Sequence, residues 1–161
     1  MLKINIKAPT FSLRSTNGNS YSLNDSIGKY VTLYFYPKDD TPGCTIETND
    51  FNKLLTKFTK LNCEVYGVSK DNLKSHKKFK EKYKIKFELL ADDEIKIVKS
   101  YKVWAKKKFM GREFMGVIRS TFLIDPKGKI VKIWKNVKVK DHAKEVLDIL
   151  KDIQKLKKSP N

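Results

Sequence analysis

The chain has 161 residues, a length that suits one globular domain with a core of its own. Hydrophobic residues make up 40% of it, too many for a disordered segment despite a charged fraction of 33%. Lys and Arg number 35 against 18 Asp and Glu; the net charge of +17 attracts anions in a salt-dependent way but defines no site, because lysines recur along the whole chain.

The opening stretch, MLKINIKAPTFSL, holds no apolar run of signal-peptide length, so the expectation is a cytoplasmic chain, with a processed organellar one as the alternative. Residues 11–23 alternate loosely about Asn17-Gly18 and predict a short hairpin. Residues 30–36, YVTLYFY, are β-branched and aromatic without clean alternation. That pattern predicts a central strand covered on both faces, far too short to span a membrane. Pro37 ends it. A polar loop over 38–42 leads into a helix over 43–59, on which Cys44, Phe51, Leu55 and Phe58 share one face.

A second strand is predicted over 64–69 and a second helix over 71–83, with Asp71 as its N-cap. A short strand over 87–90 and a short helix over 93–101 follow. Lys106, Lys107, Lys108 and Arg112 read as a basic loop. Strands over 118–124 and 129–134 are joined by Asp125-Pro126-Lys127-Gly128, a strong turn signal. The last helix covers 141–157, with Val146, Ile149, Leu150, Ile153 and Leu156 on its buried side. This order predicts an α/β fold with one mixed sheet flanked by helices, in a single domain over 1–161, its ends fraying.

Two cysteines, Cys44 and Cys63, supply neither a disulfide framework nor a metal set, and CxxC and HExxH are absent. His76 and His142 read as surface residues. Cys44 is placed differently, in the first helical turn just beyond the C-terminal end of the central strand, where open α/β sheets carry their sites. A thiol is a poor nucleophile until it ionises. Unpaired amides and the helix dipole stabilise a thiolate there by roughly 0.3 to 2 kcal/mol. Attack by such a thiolate further needs donors around the atom on which negative charge develops, and the Thr41 hydroxyl with the Gly43 and Cys44 amides could supply them. The local pattern alone fits a small buried core cysteine equally well.

The segment PKDDTPGCTIE resembles the active-site loop of peroxiredoxins of the bacterioferritin comigratory protein, or peroxiredoxin Q, group. YGVSKDNLKSHKKFKEKYKIKFELLAD and GVIRSTFLIDPKGKI carry the same likeness, so that it extends over most of residues 5–150. The resemblance implies a thioredoxin-like fold with an N-terminal hairpin, and a thiol-dependent peroxidase acting on hydrogen peroxide and organic hydroperoxides. It implies that Cys44 is the peroxidatic cysteine that becomes a sulfenic acid, that Thr41 orients the peroxide, that Pro37 shields the pocket, and that Arg119 stabilises thiolate and peroxide. Glu47 matches the TxxE continuation and reads first as an acid favouring the helix dipole, while Asp39 and Asp40 shape the loop. No cofactor or metal is implied, because sulfur carries the two-electron change.

Many members of this group carry a second cysteine five residues after the first; here Asn49 stands there. One-cysteine chemistry is therefore expected, with thioredoxin, glutaredoxin or a small thiol as external reductant. Cys63 reads as a core or strand-edge residue, with an unusual resolving partner and intermolecular or regulatory reactivity as the alternatives. The expected partners are the hydroperoxide and that reductant, with no specific nucleic acid and no membrane, and the chain is expected to be a monomer, a weak dimer being the alternative. Two other readings stand beside this one. A thiol-disulfide oxidoreductase lacks its CxxC; a thiol-based redox sensor or basic nucleic-acid-associated protein on the same fold would use Cys44 for signalling.

Overall fold

Seven strands form one mixed sheet in the computed structural model, which describes residues 2–158. In chain order the elements are β1 (Ser12–Ser15), β2 (Ser20–Ser22), β3 (Tyr30–Phe35), α1 (Pro42–Lys60), β4 (Cys63–Ser69), α2 (Leu73–Tyr83), β5 (Glu88–Ala91), α3 (Lys96–Ser100), β6 (Trp104–Phe109), β7 (Arg112–Val117), β8 (Ser120–Ile124), β9 (Ile130–Trp134) and α4 (His142–Lys158). The sheet order is β2-β1-β5-β4-β3-β8-β9, with β3, β4 and β5 parallel and the remaining pairs antiparallel. The expected fraying of the ends concerns Met1 and residues 159–161, outside the described residues.

β3 lies between β4 and β8 and is buried throughout, which is why its sequence shows no polar alternation. Leu33 and Phe35 point into one core with Val68, Leu90, Val98, Tyr101 and Phe122. Tyr34 points to the other face, among Phe51 and Phe58 of α1, Phe79 of α2, and Val146 and Leu150 of α4. Burying each such large apolar side chain contributes about 1.5–3 kcal/mol. Three helices thus cover one face, while α3 and the N-terminal segment, with Phe11 and Tyr21, cover the other. Among the described residues no helix is long and apolar enough to cross a membrane.

Several sequence expectations need correction. The basic segment over 106–112 is a hairpin, β6 paired to β7 in a two-stranded sheet of their own. Asn72, not Asp71, caps α2, its side chain accepting the Ser75 amide at 2.8 Å. Asp71 instead accepts the Asp39 amide at 2.8 Å and the Ser69 hydroxyl at 2.6 Å. α3 begins at Lys96, where the buried Asp92 carboxylate accepts the Ile97 and Val98 amides. On α4, Leu147 is buried whereas Leu156 is exposed. His76 and His142 are both core residues, each held by hydrogen bonds.

Candidate active site

The site forms where the C-terminal end of β3 meets the N-terminus of α1. Pro42 opens the helix, its ring presetting φ at a position whose amide would have no intrahelical partner. Cys44 follows in the first turn and is 1% exposed. β8 runs antiparallel to β3 with Ser120 level with Phe35, so Arg119, the residue before Ser120, reaches the same end of the sheet. It precedes the strand rather than lying within it. Its guanidinium donates through Nη2 to Cys44 Sγ at 3.3 Å and through Nη1 to Glu47 Oε1 at 2.8 Å. A side chain at Gly43 would place its Cβ 3.2 Å from Arg119 Nη2, so glycine leaves the guanidinium room against the first turn.

Glu47, expected as a first-turn acid favouring the helix dipole, lies just past the first turn and is enclosed beside Arg119. It is 1% exposed, one turn along from Cys44, and its Oε2 has no hydrogen-bond partner among the described residues. Burial pushes its carboxyl up to about 7, against the opposing pull of Arg119. Burial also works against the Arg119 charge, but Glu47 and then Cys44 outweigh it and hold the proton tighter than in an ordinary arginine. The guanidinium is thus a charged donor fixed beside the sulfur, and hydrogen bonds to charged groups are worth about 1.5–3 kcal/mol.

This carboxyl has a measurable consequence for stability. Between pH 4.5 and about 7 the folded chain keeps a proton on Glu47 that the unfolded chain releases, so this group's contribution falls as pH rises through that window. The loss is about 3 kcal/mol above neutrality. His142 acts in the opposite sense: burial, then Arg119, depresses it to about 4, so its contribution grows as pH rises toward 6.5. Urea denaturation of the Glu47→Gln variant is expected to show a steady gain in stability from pH 4.5 to 7 relative to the unmodified chain. Parallel pH profiles for the two proteins would contradict the assignment.

Thr41 is the backbone N-cap of α1, and its hydroxyl donates to the Lys38 carbonyl at 2.9 Å rather than to Cys44. Pro37 is partly buried where β3 gives way to the loop. The loop is tied down from beneath through Asp39, whose partners Tyr36, Ser75 and His76 sequence reasoning missed. Asp39 Oδ2 lies 2.8 Å from His76 Nδ1 and accepts the Ser75 hydroxyl at 2.7 Å, while Asp39 Oδ1 accepts the Tyr36 hydroxyl at 2.6 Å. His76 Nε2 lies 2.9 Å from the Leu90 carbonyl. Asp39, Asp71 and His76 bring one ligand atom each to within 4.8 Å of the others. The atoms are already engaged in hydrogen bonds with one another and with Ser69 and Ser75, which makes the group a clamp on the loop. The signal for His76 was its spacing of three from Phe79, on the same buried face of α2.

Cys63 lies elsewhere. It opens β4 opposite Tyr30, at the far end of β3 from the site. The paired length of β3 alone separates those ends by about 16 Å, whereas a disulfide needs Cα atoms about 5.5 Å apart. Burial pushes the Cys63 thiol up to about 12, the Thr32 hydroxyl 3.4 Å away easing it only in part.

Residues 4–133 match the model of the AhpC/TSA family. The chain is 49% identical over 152 residues to Peroxiredoxin Bcp of Bacillus subtilis (strain 168), covering 94% of this chain and 97% of that one. It is 36% identical to Peroxiredoxin Bcp of Escherichia coli (strain K12), covering 94% and 97%. Among solved structures, a Xanthomonas campestris peroxiredoxin Q superposes with a TM-score of 0.84 at 40% identity, covering 88% of this chain and 90% of that one. These matches make the α/β arrangement described above a thioredoxin-like fold of the peroxiredoxin Q type.

Proposed function

The chain belongs to the AhpC/TSA family, as a thiol-dependent peroxidase of the Bcp and peroxiredoxin Q kind, and from that membership we propose a one-cysteine mechanism centred on Cys44. The observation that carries this reading is the Cys44 sulfur at the start of α1 with the Arg119 guanidinium 3.3 Å away. Helix dipole and guanidinium act together on one atom, and both favour a thiolate.

The sulfur attacks the terminal oxygen of a hydroperoxide. An S–O bond forms, the O–O bond breaks, and its electron pair leaves on the alkoxide, or on hydroxide when the substrate is hydrogen peroxide. That anion takes a proton from water. Arg119 and the amides of the first turn stabilise the charge as it moves onto oxygen, where it matters most for rate. The Thr41 hydroxyl has committed its own proton to Lys38, so its lone pairs face the task of accepting the peroxide O–H. Cys44 is itself nearly covered, and substrate enters where Thr41 and Arg119 stay partly exposed, with Pro37 closing the neighbouring side.

The Cys44 sulfenic acid is then resolved from outside. An external thiolate attacks its sulfur, hydroxide leaves and is protonated to water, and a mixed disulfide forms; a second thiolate attacks the donor's sulfur, forming the donor disulfide and releasing Cys44 as thiolate. Asn49 on α1 and the remote, buried Cys63 support this reading, since neither offers a thiol within reach. Thioredoxin, glutaredoxin and small thiols are the candidate donors. The test is consumption of hydrogen peroxide, cumene hydroperoxide and tert-butyl hydroperoxide with thioredoxin, glutaredoxin or dithiothreitol as donor. Turnover with at least one donor is expected, and no consumption with any of them would sink the reading.

A further inference from the structure

Beside the Cys44 site the fold leaves a basic, apolar hairpin uncovered. β6 and β7 pair only with each other and turn through Met110 and Gly111, at φ 51° and 78°. A two-residue turn with positive φ at both positions is ordinarily built from Asn, Asp or Gly. Here its first residue is a methionine that is 88% exposed, next to Phe109 at 67%. Phe114 and Met115 are also exposed. Neither turn chemistry nor burial explains these residues; Phe109 and Phe114 share one face with Met110 at the tip, Met115 lies on the other face, and exposed apolar surface of this kind marks an interaction surface. Arg112 shares the face of Phe109 and Phe114, and Lys106 and Lys108 lie on the face of Met115, with Glu113 the one acid of the hairpin.

The hairpin also borders the site. β7 ends at Val117, two residues before Arg119. Strand alternation puts Lys107, Phe109, Arg112 and Phe114 on one face. Lys107 donates to the Val117 carbonyl at 3.0 Å, which ties this face of the hairpin to the strand end leading into Arg119. On the opposite flank Ile46, two residues past Cys44 on α1, is exposed as well.

We propose that the β6–β7 hairpin is the docking surface for a protein reductant, a dithiol protein presenting an acidic and partly apolar face. This rests on the one-cysteine reading above, which requires a thiol to be brought to Cys44 from outside. The hairpin leads within two residues into Arg119, which contacts the sulfur that a reductant must reach. The composition fits a protein interface, in which aromatic residues, Met and Arg are enriched. The net charge of +17 selects an acidic partner and repels a second copy of this chain. A lipid surface would supply no thiol.

The experiment compares turnover supported by thioredoxin, the protein probe, with turnover supported by dithiothreitol. Met110→Asn with Phe114→Thr removes apolar surface while keeping residues suited to the turn and the strand; Lys108→Glu with Arg112→Glu reverses the charge. Each pair is expected to lower kcat/KM for thioredoxin about tenfold and to leave dithiothreitol turnover unchanged. Added salt should weaken only the thioredoxin reaction. Unchanged kcat/KM for thioredoxin would overturn the proposal, as would an equal fall with dithiothreitol. So would Met110-dependent binding to phosphatidylglycerol vesicles with thioredoxin turnover intact, which would reassign the hairpin to lipid. Failure of the unmodified protein with every donor would strike the peroxidase mechanism instead.

Discussion

Replacing Cys44 by serine is expected to lower the rate of hydroperoxide consumption by at least about a thousandfold, because removing a nucleophile removes the whole covalent route. The hydroxyl that replaces the thiol ionises far less readily, and Arg119 cannot make up the difference. Cys63→Ser is the matched control. Its sulfur lies beside Thr32 and the Glu64 carbonyl, both 3.4 Å away, and a serine hydroxyl can use the same partners. A stability cost of about 1 kcal/mol is expected there, with peroxide consumption nearly unchanged. Steady-state assays with dithiothreitol separate the two variants. Equal activity in the Cys44 variant and the unmodified chain would remove Cys44 from the mechanism.

Arg119→Ala carries the second large effect. The guanidinium joins Cys44 and Glu47 through separate nitrogens, so its removal withdraws the cation from the sulfur and leaves Glu47 buried alone. Losing a charged donor at the reacting centre costs about 100- to 1,000-fold in rate. Arg119→Lys should recover only part of this, since one ammonium cannot reproduce the two-pronged geometry. The stability effect is pH-dependent. A buried charge stripped of its partner costs about 3–5 kcal/mol. Glu47 already titrates near 7, however, and without Arg119 it keeps its proton more readily still. Arg119→Ala is therefore expected to be more destabilised at pH 8 than at pH 6, as read from urea midpoints at each pH.

Much of this was legible in the chain itself. The covered run over 30–36, the turn at Asp125 and Pro126, and the helix beginning near Cys44 all follow from local rules, and the structure bears them out within a residue or two. The β6–β7 hairpin was not legible. Its residues are mostly exposed, so the alternation that marks a half-buried strand is missing. His76 was misread because lysines flank it, although position 76 shares a face with Phe79. Glu47 lies on the face that carries Cys44 and Phe51, but an acid there looks like a surface residue until its partner is known.

Arg119 illustrates the limit. It stands 75 positions from Cys44, and only the antiparallel pairing of β3 with β8 brings the two together. Composition and spacing cannot encode that meeting; the family likeness supplied it. Asp39 poses the same problem, since its contacts with His76 and Ser75 join a loop to a helix remote in sequence.

Mass spectrometry of the intact protein after one equivalent of hydrogen peroxide, followed by peptide mapping, addresses the central claim most directly. The account predicts a single added oxygen on Cys44, removed by dithiothreitol, with Cys63 unmodified. A Cys44–Cys63 disulfide, or an unchanged Cys44 after the peroxide has been offered, would contradict it.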